Sequence, residues 1–522
     1  MALKTLSRTV AYAGLAKDAY RLKHAGDELV RSQARRHLIQ RMGKLRGLPQ
    51  KLGQMMSFSQ SREDDDPLAA AEFASLQESA EPLAWSEIQP VILQAWQRPL
   101  DDVLAEIDPD ALAASLGQVH RARTLDGRDV AVKVQYPGIG DSIQTDLKLL
   151  GWLSAPVGNL RRGFDLAAYR QVILDDLQEE LDYRREAEHQ RSFARWADED
   201  PRLAVPGVID ELSTERVLVT DWQTGDTWQQ VKAEWTDVEK RKLANTLLGL
   251  FLDGLFGRGM MHADLHPGNL RFRRNIEGNQ DGSVQVLMYD FGCVYYPESD
   301  DRLALLRLIR ATMRGDEPPW PLFLKLGFNK EFLEPLADKL PALCRVLFEP
   351  FCVEYPYDPA DWRLAERVAD ILGDDRWNFR IAGPASMIFL LRAFHGLAYY
   401  LEGLKAPVMW HRPIRPLIDR LEADMNRLDL PPAEASHRDF SSLAKYLKIR
   451  VRENGRTKVE LTSYAAGIDD LDGLLDDDLK RRIAAQQIDL SAVVTQVRQR
   501  GYTPGPVFQM TEGSKEVAVW LQ

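Results

Sequence analysis

Cysteine is scarce in this 522-residue chain: Cys293, Cys344 and Cys352 occur, with no Cys-x-x-Cys pair. That excludes a disulfide-stapled scaffold and a cysteine zinc centre, and it suits thiols in a reducing compartment. Long apolar runs are lacking too. The longest, around residues 381–404, contains Arg392 and His395. A membrane-spanning helix needs about 20 predominantly apolar residues, so this stretch reads as a buried helix or helix pair. No internal repeat or low-complexity tract occurs, which excludes a solenoid. A secretory signal is not expected either, because the apolar stretch 10–16 is short and Lys17 and Asp18 follow at once.

What is present suits a globular protein of several domain-sized units, with 45% apolar and 28% charged residues. The net charge of −11 hides an asymmetry. Residues 1–51 carry twelve Lys/Arg against three Asp/Glu, a balance of +9 that leaves −20 for the remainder. Such a basic start fits an anionic membrane surface, a solvated helical face or an organelle transit segment. The acidic remainder argues against an extended nucleic-acid footprint, so no nucleic-acid partner is expected. The apolar end at 517–521 is too short to span a bilayer. The expected location is therefore cytoplasmic, peripheral to the inner face of a membrane.

Up to about residue 100 the pattern is helical, with breaks at Gly47-Leu48-Pro49 and Asp64-Asp65-Asp66-Pro67. It then turns to strand. Gln118-Val119-His120 and Val130-Ala131-Val132-Lys133-Val134 flank Leu125-Asp126-Gly127-Arg128, which reads as a hairpin turn. A long helix is expected over 166–196, then strands at 204–209 and 216–220. Asp221-Trp222-Gln223-Thr224-Gly225 reads as a hinge. Helical periodicity returns over 238–258, followed by a loop at 262–269, a short strand, a polar turn at 275–282 and a strand at 284–289. The rest, to about residue 490, is expected to be mainly helical, with the acidic tract 469–478 a solvated face or loop. Four parts result: a helical extension (1–105), a small lobe (106–225), a large lobe (226–430) and a mainly helical carboxy-terminal extension (431–522).

Phosphoryl transfer from ATP requires a cation on the phosphates, carboxylate and amide ligands for Mg²⁺, and a carboxylate near the acceptor. His262-Ala263-Asp264-Leu265-His266-Pro267-Gly268-Asn269 sets an Asp and an Asn five residues apart, as in the protein-kinase catalytic loop His-Arg-Asp-x-x-x-x-Asn. Asp264 would orient or deprotonate the acceptor, and Asn269 would hold a metal. Twenty-one residues beyond Asn269, Asp290-Phe291-Gly292 ends an apolar run, where a carboxylate leaving a buried strand can face Mg²⁺. Alone that tripeptide can be a turn; at this spacing the pair is specific. A competing reading makes His262, Asp264 and His266 metal ligands, but no further Cys/His cluster completes such a site.

Upstream, Val130-Ala131-Val132-Lys133 matches the kinase strand whose lysine contacts the α/β-phosphates and pairs with a helix glutamate. The helix that follows offers Glu180, Asp182 and Glu186, on more than one side, so it can serve more than one cation. The plain alternative is an exposed face paired with Arg184 and Arg185. Expected nucleotide contacts are Ala113, Ala114, Ser115, Gly117, Gln118 and Val119 in the loop before Lys133, with Thr220 and Trp222 at the strand end and hinge.

Two kinase features are missing. Gly-x-Gly-x-x-Gly should precede Lys133, but the segment reads Ala111-Leu112-Ala113-Ala114-Ser115-Leu116-Gly117-Gln118-Val119. Methyl groups there limit backbone approach to phosphates, while free amides and Ser115 remain to bind them. No Ala-Pro-Glu follows Asp290-Phe291-Gly292, so a platform for a protein substrate is not evident. Ala263 stands where an arginine would partner a phosphorylated activation loop.

With Lys51-Leu52-Gly53-Gln54 ahead of the strands and Glu180-Leu181-Asp182-Tyr183-x-x-Glu186-Ala187 after them, the chain resembles the UbiB/AarF/ADCK family of atypical kinases over about residues 40–295. The resemblance implies an α+β, protein-kinase-like two-lobed fold: a small β-sheet lobe plus a helical large lobe, with extra carboxy-terminal helices. The helical amino-terminal extension would cover the protein-substrate site. Lys51 and Gln54 would gate it, Lys51 reaching Glu180 and Asp182, while Glu186 would partner Lys133. ATP and Mg²⁺ would be bound, the metal on Asn269 and Asp290. ATPase or small-molecule kinase activity is implied, in isoprenoid-quinone (ubiquinone) biosynthesis or membrane lipid metabolism, with a lipid-like molecule or an anionic membrane surface as partner. Leu112 replaces the first alanine of the family's loop. A nucleotide-binding scaffold without turnover is the alternative; a pure scaffold needs no complete metal set. A conventional protein kinase ranks third. No motif speaks to the oligomeric state.

Overall fold

The computed structural model describes residues 82–114, 116–143, 166–274, 283–432 and 438–522, with a few isolated positions before residue 40. Two compact units are formed. One comprises Met1–Gly254, Met260–Tyr296 and Ala385–Ala406, the other Leu255–Gly259, Pro297–Pro384 and Pro407–Gln522. These bounds differ from the four consecutive parts expected.

The first unit is built on an antiparallel sheet of β1 (Leu104–Ala113), β2 (Gly117–Thr124), β3 (Asp129–Gln135) and β5 (Val217–Asp221), in that order. Alternation along β3 decides its two faces. Val130, Val132 and Val134 are wholly buried against Ile88, Val91, Ile92 and Trp96 of helix α1 (Trp85–Trp96), each contributing about 1.5 kcal/mol or more. Ala131 and Lys133 therefore take the opposite face. Gly127 turns the β2–β3 hairpin at φ +87°, a conformation other residues rarely adopt. β1 lies outside the expected strands, and Asp108-Pro109-Asp110 interrupts its apolar pattern. The strand absorbs it as an irregularity in pairing between Ile107 and Ala111.

Two further expectations change here. The helix expected over 166–196 is two helices, α2 (Leu166–Glu180) and α3 (Tyr183–Glu199). Asp182 breaks it: its carboxylate accepts the Arg184 N–H at 3.0 Å and caps α3. The strand expected at 204–209 is only β4 (Leu203–Ala204), stopped before Pro206. It pairs in parallel with β8 (Val284–Met288), which also pairs with β7 (Leu270–Arg274), and so lies outside the four-stranded sheet.

Two-stranded β6 (Met261–His262) and β9 (Val294–Tyr295) bracket the motif loops. Helices α4 (Trp228–Glu234) and α5 (Asp237–Leu252) each open with a reciprocal cap, Thr227 with Gln230 and Thr236 with Glu239. The apolar stretch around Arg392 forms the Met387–Leu404 helix, packed against α5. A Cβ at Gly396 would lie 2.6 Å from Leu265 Cβ, and one at Gly403 2.5 Å from the Trp228 ring, so both glycines permit close packing. No single helix among the described residues is long and apolar enough to cross a membrane.

The second unit corrects the expectation of a mainly helical end. It contains helices such as Ser299–Arg314 and His411–Asn426, but also an antiparallel sheet ordered β11-β10-β13-β12. Its strands are β10 (Tyr446–Glu453), β11 (Arg456–Tyr464), β12 (Gly505–Glu512) and β13 (Lys515–Leu521). Leu447, Ile449 and Val451 alternate with Lys448, Arg450 and Arg452, a period of two, and Asn454-Gly455 turns the hairpin with both φ positive. Nor is the acidic tract wholly solvated. Asp469 is largely buried, 2.9 Å from Arg367, 2.7 Å from Arg498 and 2.9 Å from the Tyr502 hydroxyl.

On the valine side of β2, His120 is buried, its Nδ1 2.8 Å from the Asp108 carbonyl oxygen and its ring edge-on to Trp85. Burial holds its pKa below 6.5, against the opposing pull of Asp108. As pH falls below 6.5 the unfolded chain takes up a proton that the folded chain resists, so stability is lost. Urea denaturation from about pH 7 to about pH 5 should show this loss, with a shallower slope in His120→Gln. His262 and His395 shift the same way, so some slope should remain.

Candidate active site

Lys133 stands on the open face of β3, and α3 is placed to meet it. Tyr183 sets its ring 5.2 Å from the ammonium, and Glu186, one turn on, brings Oε1 to 2.6 Å from Nζ. Asp290 Oδ2 lies 2.9 Å from the same nitrogen. The Lys133 side chain is 14% exposed and that of Glu186 4%, against 30% for Asp290. Of the three acidic side chains the sequence offered, Glu186 is the one on Lys133. Asp182 caps α3, and Glu180 is buried at the end of α2, where its Cγ would lie 3.5 Å from a Cβ added at Gly292. The helix break explains this division, since it reorients everything after residue 181. Lys51 and Gln54, the proposed gate, lie outside the described residues.

Burial opposes the charge on Lys133, but Asp290 and Glu186 outweigh it and hold the ammonium well above its usual range. Burial pushes the Glu186 carboxyl up, countered by Lys133 and by the Phe291 N–H, which donates to Oε1 at 3.3 Å. Burial also opposes ionisation of Asp290, yet Lys133 and the Gly292 N–H hold it below the ordinary carboxylate value.

The two motif loops are stitched together. Tyr289 N–H donates to the Asn269 carbonyl at 3.0 Å, and Phe291 is buried against Phe193 and His262. His262 Nδ1 accepts the Asp264 N–H at 3.2 Å, so its proton sits on Nε2, which donates to the Asp290 carbonyl at 2.6 Å. Burial lowers its pKa and keeps the ring neutral. Both nitrogens are thus used within the protein, and His266 Nδ1 accepts the Gly268 N–H at 3.1 Å. Among the described residues no group of three or more His, Cys, Asp or Glu could hold a metal ion. A His262–Asp264–His266 centre is therefore not what these residues build.

Asn269 Nδ2 donates to the Asp264 carbonyl at 3.1 Å and to its Oδ2 at 3.2 Å, which directs the amide oxygen elsewhere. With a partly exposed Asp290 carboxylate, the donors are hard oxygens. They fit Mg²⁺, which takes few protein ligands and completes its shell from phosphates and water.

Cross-strand register sorts the expected nucleotide contacts. Leu112 lies opposite Val119, Val119 opposite Lys133, and Thr220 opposite Ala131, so these residues share the face of Lys133. Trp222 N–H donates to the Asp129 carbonyl, and the Arg121 guanidinium stands 5.4 Å over its ring. Two calls fail. Gln118, fully buried, lies opposite Val134 on the valine face, where its amide takes both the N–H and the carbonyl of Leu83. Ala113 lies opposite Gln118 and shares that side. The backbone N–H of Ala114 is also not free for a phosphate, since it donates to the Gly117 carbonyl at 2.8 Å. Gly117 is needed for space, because a Cβ would stand 2.2 Å from the Val134 carbonyl oxygen and 2.7 Å from the Tyr183 hydroxyl. Ser115 lies outside the described residues.

One residue of the site was missed. Arg392, almost wholly buried, places Nη2 3.0 Å from Asp264 Oδ1 and Nη1 3.6 Å from Cys293 Sγ. A signal existed: an arginine inside an apolar helix must meet an anion.

Residues 75–319 match the family model of the ABC1 atypical kinase-like domain. The chain is 29% identical to atypical kinase COQ8B, mitochondrial, of Rattus norvegicus, over 67% of this chain and 66% of that protein. It is 27% identical to atypical kinase coq-8, mitochondrial, of Caenorhabditis elegans, over 71% and 49%. The matches thus span about half to two thirds of these relatives' lengths. A solved structure, the complex of Rv3197 with erythromycin from Mycobacterium tuberculosis, is similar with a TM-score of 0.49. Its identity is 27%, over 75% of this chain and 96% of that one.

Removing Lys133 leaves Glu186 buried without its cation. Lys133→Met should therefore cost about 3 kcal/mol or more, and Lys133→Met/Glu186→Gln should cost less than Lys133→Met alone. Urea denaturation of both variants checks the pairing.

Proposed function

We propose that the chain is an atypical kinase of the ABC1 type, whose family model matches residues 75–319, and that it binds Mg-ATP and hydrolyses it or transfers its γ-phosphoryl group to a small molecule. The observation that carries this reading is the convergence of Lys133, Glu186 and Asp290 beside the linked pair Asp264 and Asn269. Lys133, fixed by Glu186, would place its charge on the α/β-phosphates. Asn269 and Asp290 would hold Mg²⁺, which neutralises charge on the phosphate oxygens when bound. Asp264 would orient the acceptor, since a loose transition state depends on alignment more than on proton removal.

A small acceptor fits the lack of an Ala-Pro-Glu segment. The family resemblance points to isoprenoid-quinone biosynthesis or membrane lipid metabolism. The basic segment 1–51 supports peripheral attachment to an anionic membrane on its cytoplasmic side.

The test is phosphate release from Mg-ATP by the wild type and Asp290→Asn, with and without anionic liposomes. Asp290→Asn should lower turnover by about 10²-fold or more and weaken metal-dependent nucleotide binding, and liposomes should stimulate the wild type. Nucleotide binding without turnover by the wild type would instead favour a scaffold.

A further inference from the structure

We propose that Arg392 is a positioning residue for the phosphoryl-transfer step, acting through Asp264. The inference rests on the function proposed above and extends it to a helix outside every sequence motif. Where a kinase catalytic loop carries an arginine, this chain has Ala263, wholly buried. A cation nevertheless reaches the neighbouring aspartate from the Met387–Leu404 helix. Arg392 holds Asp264 Oδ1 at 3.0 Å, and Asn269 Nδ2 holds Oδ2 at 3.2 Å. With an ion-pair partner at one oxygen and a hydrogen bond at the other, the carboxylate is restrained in its rotation.

The seating of the helix gives independent support. Arg392 and Gly396 are one turn apart on one face. At Gly396 a Cβ would stand 2.6 Å from Leu265 Cβ and 3.1 Å from the Leu265 carbonyl oxygen. The helix therefore lies directly on the residue after Asp264, leaving the guanidinium little freedom. Its other nitrogen, 3.6 Å from Cys293 Sγ, reaches the residue after Asp290-Phe291-Gly292. One side chain thus touches both motif loops. Charges are divided in the same way: Lys133 serves Glu186 and Asp290, while Arg392 serves Asp264 and also feels Asp176.

ATP turnover should be measured for the wild type, Arg392→Met, Arg392→Lys, Asp264→Asn and Arg392→Met/Asp264→Asn, with KM for ATP and thermal unfolding for each. Arg392→Met should lower kcat by about 10²-fold with KM for ATP nearly unchanged. Arg392→Lys should recover part of the loss. In the Asp264→Asn background Arg392→Met should have little further effect, because it acts through the lost carboxylate. An equal loss in both backgrounds, or wild-type kcat in Arg392→Met, would overturn the proposal. Should Arg392→Met not fold, Gly396→Ala carries the test: it should lower kcat with KM retained, and unchanged kcat would overturn the proposal. Absence of turnover in the wild type would defeat the proposed function and this inference with it. Wild-type turnover with an indifferent Arg392→Met would defeat this inference alone.

Discussion

A lysine ammonium withdrawn from water has to be neutralised where it stands, and Lys133 meets that demand with two carboxylates from separate parts of the chain. Glu186 comes from α3 and Asp290 from the end of β8. The four-stranded sheet, α3 and the Asp-Phe-Gly segment are thereby coupled at one point. Much of the local structure follows. Asp182 breaks the preceding helix so that α3 starts where Tyr183 can underlie the lysine, and Gly117 must lack a side chain because Tyr183 and Val134 press against it. A buried ion pair is poor evidence of added stability, since desolvation offsets much of its attraction. Its presence in a partly open site points to use.

The same rule governs the loop that carries Asp264. Asp264 is held by Arg392 and Asn269, and His262 joins the backbones of the two motif loops without carrying charge. What differs from the ordinary kinase pattern is the hairpin ahead of Lys133. The alanine-rich hairpin uses the Ala114 N–H internally and projects Leu112, 63% exposed, from the same face as Lys133. Fewer backbone donors are therefore on offer there than in a glycine-rich loop.

In the second unit, buried charge does structural duty. Arg367 and Arg498 converge on Asp469, and the unit ends in a sheet rather than helices. The period-two alternation over 446–453 and the Asn454-Gly455 turn were visible in the sequence. A change of period from helical to two marks the sheet even after a hundred mainly helical residues.

The sequence by itself determined which groups meet at the centre. Lys133, Asp264, Asn269 and Asp290 could be named from motif order and spacing, because they follow the succession of the protein-kinase motifs. It also determined which face of β3 carries the lysine, since strand alternation is a local property. Tertiary structure decided how the acidic residues are divided: Glu186 sits on Lys133, as the family resemblance implies, while the helix break leaves Glu180 at the end of α2 and makes Asp182 a cap. It decided that Gln118 faces the valine core, a matter of pairing register between strands. It also decided that a helix far along the chain supplies the arginine for Asp264. Each of these depends on which groups lose their water together, and burial is a property of the folded chain that no local pattern encodes.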